Sequence, residues 1–319
     1  MPDRDHARGF PGFGFVALGA ALWGSDALFR RGLAIELPPT LIVAAEHVIL
    51  TVVLAPVLWR QRKTLRALTP LEWGALIVIG VGASALATIL FTTAFRYGDP
   101  NAPLLLQKLQ PFVAVAGAVI LLGERFRARY VAFFVVAVAG AFLMTFPEPW
   151  NITVEQAAPA LYATGAAFLW GMGTVLGRYL SPTLSPRMLT ASRLAIGTVV
   201  LVPAVFLRGE VTSHVPFENK ELLALVLLGL IPGLAALMLY YRGLRTTAAS
   251  AATLAELAFP ISALVINWLA FDAVLKPLQY VGLTVLLVTI IAMSYLSRSG
   301  SVSADLGVEA PGRVLPVEA

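Results

Sequence analysis

Apolar residues fall along this chain in blocks of about twenty, separated by short polar stretches. Residues 73–95, 157–177, 222–241 and 277–297 are uncharged throughout, and 130–147 forms a slightly shorter block. At ~1.5 Å of rise per residue, such blocks cross a hydrocarbon core about 30 Å thick, so the pattern predicts membrane-spanning helices. Five further blocks, 11–33, 38–59, 101–122, 186–207 and 248–271, are apolar apart from a few charges. The expected fold is an all-α integral membrane protein of ten transmembrane helices, the first of them an uncleaved helix rather than a signal peptide.

The pattern is written twice. GAALWGSDALFRR at 19–31 returns as AAFLWGMGTVLGR at 166–178, and TVVLAP at 51–56 returns as TVVLVP at 198–203, both at an offset of 147. Glu72, Gly80, Arg96 and Pro111 return at an offset of 149 as Glu221, Gly229, Arg245 and Pro260. Each copy holds five spans, and five is odd, so the second copy enters the membrane from the opposite side. The chain therefore reads as two inverted five-helix repeats around a central cavity. The first repeat spans residues 11–147 and the second 157–297, joined by an extracytoplasmic linker at 148–156. A cytoplasmic tail at 1–10 precedes them, and a second at 298–319 has the polar composition of a disordered end.

Composition agrees with lipid surroundings. The 319 residues are 58% hydrophobic and 13% charged, against the roughly 25% charged of soluble domains, and mean hydropathy is +0.82. The absence of cysteine removes disulfides, thiolate chemistry and cysteine metal sites. A net charge of +5 lies scattered through short loops, which argues against a nucleic-acid partner. With a cytoplasmic N-terminus, inner segments carry 15 Lys and Arg and outer loops 6, Arg30 and Arg31 being counted among the outer ones. That bias predicts a multi-pass protein of the cell membrane with both termini cytoplasmic.

Candidate chemistry lies inside the spans. LLLQKLQPF at 104–112 breaks an apolar run with Gln107, Lys108 and Gln110, and TLAELAFPI at 253–261 sets Glu256 where the first copy has Gln107. Pro111 and Pro260 each remove the helical bond to the carbonyl four residues earlier, those of Gln107 and Glu256, so freed acceptors are expected there. Asp26, Glu46, Lys108, Arg193 and Glu256 all fall within several ångströms of the expected midplane, counting about 1.5 Å per residue. Each would cost about 2.5 to 3.5 kcal/mol facing lipid on insertion scales, so all five are expected to face inward. They either line a pathway or form permanent ion pairs, Lys108 with Glu46 or Asp26 and Arg193 with Glu256. Glu256 shares a stripe with Thr253, Pro260 and Asn267. Trp23, Trp170 and Tyr241 either stack on a flat or cationic substrate or simply pack. Ser84, Thr88, Thr92 and Arg96 form a stripe at steps of four, as easily bonded to their own backbone as functional.

The Trp-Gly pairs at 23–24 and 170–171, Arg193 in the seventh span, the segment from Pro111 to Gly123-Glu124 and the duplicated five-helix unit resemble the EamA-type branch of the drug/metabolite transporter (DMT) superfamily, over roughly residues 15–296. Glu46 stands where the second repeat has Arg193. The resemblance implies ten helices, cytoplasmic termini and a cavity between inverted halves that moves small metabolites, often amino acids and commonly outward, by alternating access. Lys108 and Arg193 for a carboxylate, with Glu256 or Asp26 for an ammonium, make amino acids the first substrate class. Protons are a candidate coupling ion and a homodimer a candidate assembly, while no cofactor is expected. His6, His47 and His214 stand in unrelated places and assemble no metal set or catalytic constellation, so no enzyme is expected. ATP-driven transport by this chain alone is not expected, since it has no GxxxxGK[ST] loop. A metabolite sensor or membrane assembly protein built on a transporter fold, without flux, is the alternative function.

Overall fold

The computed structural model describes residues 9–97, 100–122, 128–146, 148–150, 154–210, 219–244 and 255–298. Every regular element among them is helical. The helices are α1 (Gly9–Gly24), α2 (Asp26–Glu36), α3 (Pro39–Arg60), the short α4 (Arg62–Arg66) and α5 (Pro70–Val78). A π-helical segment, Ile79–Leu86, carries α5 into α6 (Ala87–Ala94). A 3₁₀ turn, Gln107–Leu109, separates α7 (Asn101–Leu106) from α8 (Gln110–Leu122), and α9 (Ala128–Thr145) follows. The second half holds α10 (Val154–Leu180), α11 (Pro186–Leu207) and α12 (Asn219–Leu228). A second π segment, Gly229–Ala235, leads into α13 (Ala236–Leu244), followed by α14 (Ala258–Phe271) and α15 (Pro277–Arg298).

Among the described residues, six stretches are long and apolar enough to cross a bilayer: Gly12–Glu36, Pro39–Arg60, Pro70–Ala94, Ala157–Leu180, Pro186–Leu207 and Asn219–Tyr240. Shorter apolar helices cover Val135–Thr145, Ala258–Phe271 and Pro277–Thr289. Helix starts follow from local sequence. Prolines at 39, 70 and 186 open α3, α5 and α11, where the missing N–H costs nothing. Thr69 and Glu72 close a capping box on α5. The first crossing is interrupted at Ser25 and runs on to Glu36. Arg30 and Arg31 therefore sit inside a helix, which corrects their assignment to an outer loop.

The duplication is visible in contacts as well as in sequence. The two π segments begin 150 residues apart, within one position of the repeat offset. Thr51 and Thr198, equivalent positions, hold their hydroxyl oxygens 2.9 Å apart where α3 packs along α11. Each half's Trp-Gly pair packs against the other half. A Cβ on Gly24 would lie 2.8 Å from the Phe259 carbonyl oxygen, and one on Gly171 would lie 2.9 Å from that of Gln110, so only glycine permits either approach. The tryptophans follow suit: Trp23 meets Tyr240 at 4.9 Å between ring centroids, and Trp170 meets Phe91 at 5.2 Å. Trp23 and Trp170 are repeat equivalents, and so are Phe91 and Tyr240. The fifth span packs on the last: α9 meets α15 where a Cβ on Gly140 would lie 2.9 Å from the Gly282 carbonyl oxygen.

Polar links gather at two ends of the bundle. At one, Ser185 donates to Gln61 at 3.1 Å and Thr183 to Glu72 at 2.5 Å. At the other, Asn101 donates to the Ala273 carbonyl at 3.3 Å, Gln279 to that of Met144 at 2.8 Å, and Lys276 to Glu148 at 2.7 Å. The Lys276 hydrogen bond holds the Glu148 carboxyl below its ordinary range. A depressed folded value means the pair helps above the ordinary carboxylate range and is lost as pH falls through the folded one, a small effect for so exposed a pair.

Because the chain lacks cysteine, Thr51→Cys with Thr198→Cys gives a clean test of the central packing. Mild oxidation is expected to join the pair within one chain, seen as a mobility shift reversed by reductant. Failure of the pair to join would contradict the α3 to α11 register.

Candidate functional site

The site is built on two helix breaks, one in each half. Before Pro111 the chain tightens into the 3₁₀ turn, and before Pro260 it leaves helical geometry at Glu256 and Leu257. The carbonyls expected to be left open are not open. That of Gln107 accepts from the Gln110 N–H, and that of Glu256 accepts from the Phe259 N–H at 3.0 Å. Each half thus trades its lost i to i+4 bond for a tighter i to i+3 bond. What the breaks offer is side chains, redirected off the helical register.

Lys108 leaves the first break and sets its Nζ over the ring of Phe259, 4.2 Å from the centroid, just past the second break. Both Lys108 and its neighbour Gln107 are partly buried, and neither side chain makes a hydrogen bond or ion pair among the described residues. Glu256 stands near enough for its charge to act on Lys108. Its Oε1 accepts a 2.6 Å hydrogen bond from the Tyr240 hydroxyl, and Tyr240 in turn packs on Trp23. Phe259, Phe91, Trp23 and Trp170 belong to one contiguous apolar cluster drawn from both halves. The breaks, a cation, a carboxylate and two tryptophans therefore share one region between the halves.

Asp26 and Glu46 lie elsewhere, on a residue the sequence reading had put in a loop. Arg30, 2% exposed, forks onto Asp26 through Nε at 2.5 Å and Nη2 at 2.8 Å. Its Nη1 reaches Glu46 Oε2 at 3.2 Å and the Thr92 hydroxyl at 2.8 Å. Asp26 also occupies the first turn of α2, where the helix dipole favours a negative charge. The expected pairing of Lys108 with Asp26 or Glu46 is absent because Arg30 sits four residues from Asp26 and takes both carboxylates. The i, i+4 spacing of Asp26 and Arg30 was the available signal.

Arg193 is likewise engaged outside the break region. Its Nε donates to the Ser84 hydroxyl at 2.6 Å and its Nη2 to the Ala83 carbonyl at 3.1 Å, both on the first π segment. The expected partner Glu256 is held by Tyr240 instead. The stripe of hydroxyls divides between the two arginines: Ser84 serves Arg193 and Thr92 serves Arg30. Tyr240, Phe259 and Phe91 were missed because they read as ordinary apolar helix. Thr253 lies outside the described residues, as does the side chain of Tyr241. His47, 3% exposed, donates through Nδ1 to the Val43 carbonyl, 2.9 Å away, and packs by Gly197 of α11. No group of His, Asp or Glu that would hold a metal occurs among the described residues.

The chain matches the model of the EamA-like transporter family twice, over residues 10–146 and 158–295. It is 28% identical over 289 residues to a protein named riboflavin transporter ImpX from Fusobacterium nucleatum, covering 88% of this chain and 97% of that one. It is 23% identical over 226 residues to the uncharacterized transporter YwfM of Bacillus subtilis, covering 71% and 75%. A solved crystal structure is similar in fold, with a TM-score of 0.63 at 19% identity, over 92% of this chain and 98% of that one.

Replacing Arg30 by Met leaves two carboxylates without their cation. The expected cost is about 3 to 5 kcal/mol, as for breaking a buried ion pair, read as a large drop in the thermal transition of the purified protein in detergent. Unchanged stability in Arg30→Met would contradict this arrangement.

Proposed function

This chain belongs to the EamA-like transporter family, and on that basis we propose that it is a secondary carrier that moves a small, planar, hydrogen-bonding metabolite through the region where the two broken helices meet. The observation that carries this reading is Lys108: a cation in an apolar bundle, lying over Phe259, with no ion pair or hydrogen bond among the described residues. A charge in such surroundings needs a polar partner or water, and a substrate supplies one. Trp23 and Trp170 offer ring faces for stacking, Lys108 and Gln107 donors for carbonyl oxygens, and Glu256 an acceptor for hydroxyl or imide hydrogens. A riboflavin-like molecule presents all of these, which agrees with the name of the relative from Fusobacterium nucleatum. Amino acids, the first expectation, relied on two available cations, and Arg193 is already engaged with the π segment.

The swapped packing of the Trp-Gly pairs, and the Thr51 to Thr198 contact, support ten helices in two inverted halves. In that arrangement each half rocks against the other about a fixed site, opening it to either face. The charge bias for cytoplasmic termini strengthens once Arg30 and Arg31 leave the outer loops, reducing their Lys and Arg to 4 against 15 inside. On this reading the protein is a multi-pass protein of the cell membrane.

Counterflow in liposomes tests the proposal. Vesicles holding purified protein and unlabelled riboflavin are expected to accumulate labelled riboflavin transiently, and net efflux from the same vesicles tests the outward direction that family resemblance implies. Lys108→Met is expected to fold and to lose at least about tenfold of the exchange rate, as for a lost charge-assisted contact of ~1.5 kcal/mol or more. Counterflow of amino acids but not of riboflavin would overturn the substrate class. Riboflavin binding without any counterflow would favour the sensor reading.

A further inference from the structure

The Arg30 cluster has an unbalanced charge. One guanidinium faces two carboxylates, Asp26 and Glu46, and neither carboxylate has another partner among the described residues. With both ionised, the cluster holds a net charge of one minus inside the bundle. Among the described residues no second cation makes an ion pair with either carboxylate. From α6 comes Thr92, which is uncharged. From α11 comes Arg193, bound to Ser84 and Ala83. Helix α12 carries only Lys220 and Glu221 in its first turn, and the second π segment has no titratable residue. Arg62, Lys63 and Arg66 of α4 lie at the opposite end of α3, and on α3 itself His47 turns to Val43 and α11. Arg31, beside Arg30 on α2, stacks on Phe271 at 4.7 Å.

The two carboxylates are held differently. Asp26 receives a short two-pronged contact, 2.5 and 2.8 Å, as expected of a charge-assisted pair. Glu46 is touched on one oxygen only, at 3.2 Å from both Nη1 and Nη2, beyond the charge-assisted range. Its other oxygen has no partner among the described residues. The Arg30 side chain is 3% exposed, whereas those of Asp26 and Glu46 keep 14% and 11%. The cation is sealed, and the carboxylates keep a small accessible surface.

We propose that the Asp26–Arg30–Glu46 cluster binds and releases one proton in each transport cycle, making it the site of proton coupling. The proposal rests on the carrier reading above. A proton taken from water onto a carboxylate oxygen makes the cluster neutral, and its return to water on the other side restores the charge. Because the two carboxylates share one guanidinium, the proton belongs to the cluster as a whole. A route to the substrate region is in place: Arg30 lies 5.5 Å from the Phe91 ring centroid, and Phe91 packs across the halves on Trp170. Loosening Arg30 from one carboxylate therefore shifts a ring at the interface between halves. Glu256, the first choice from sequence, is committed to Tyr240 and to the field of Lys108 instead.

Two arms test the proposal. Difference titration of purified wild type against Glu46→Gln and Asp26→Asn reads the proton without any substrate. Wild type is expected to take up one more proton than either variant between mildly alkaline and mildly acidic pH, and equal uptake overturns the proposal. In pyranine-loaded vesicles, wild-type riboflavin flux is expected to move protons in a fixed ratio, and both variants to lose that ratio. Wild-type flux with no proton movement, or a variant that keeps the wild-type ratio, also overturns it. Gradient-free riboflavin counterflow is the control on the carrier reading: its absence in wild type sinks that reading, and the titration then judges the cluster alone.

Discussion

A charge inside an apolar bundle must be matched, hydrated or expelled, and this structure is organised by how each of its interior charges meets that demand. Arg30 is matched twice over, by Asp26 and Glu46, with Thr92 and the face of Phe91 completing its surroundings. Arg193 is satisfied by a hydroxyl and a carbonyl on a π segment whose altered hydrogen bonding leaves acceptors in reach. Glu256 is shared between Tyr240 and the charge of Lys108. Lys108 alone among these makes no ion pair or hydrogen bond among the described residues, having the face of Phe259 and the nearby charge of Glu256.

The duplicated sequence explains why such groups meet. Each half's Trp-Gly pair seats on the other half's broken helix, through Gly24 on Phe259 and Gly171 on Gln110. Interfaces exchanged in this way tie the halves to each other and bring the two breaks together, Lys108 over Phe259. Ahead of Pro111 and Pro260, an i to i+3 bond stands in for the lost i to i+4 bond. Divergence between the copies then assigns different roles. Position 46 is acidic and is drawn toward Arg30, while its equivalent Arg193 is basic and is drawn to the π segment.

Much of this was legible in the chain itself. Block length and charge sparsity marked the helices, and the offsets of 147 and 149 marked the repeat, because bilayer thickness and duplication leave one-dimensional traces. The prolines located both breaks. Partner choice was less legible, since it depends on which helix faces lie opposite. Arg30 lies within the 11–33 block and, four residues from Asp26, on a shared helix face, yet in the charge count it was placed with the outer loop. Tyr240 escaped notice beside Tyr241 because adjacent residues on a helix point about 100° apart, and its contacts with Glu256 and Trp23 are tertiary. The freed carbonyls were anticipated by helix geometry, but a local 3₁₀ adjustment satisfied them.

The most direct measurement is side-specific labelling of single cysteines introduced at Gln107, Lys108 and Glu256 into the natural cysteine-free background. A membrane-impermeant thiol reagent, added to one face of sealed vesicles at a time, should reach these positions from both faces, and riboflavin should slow both reactions. Labelling by lipid-soluble reagents alone would mean that these positions face acyl chains and never meet water, which would contradict the account at its root.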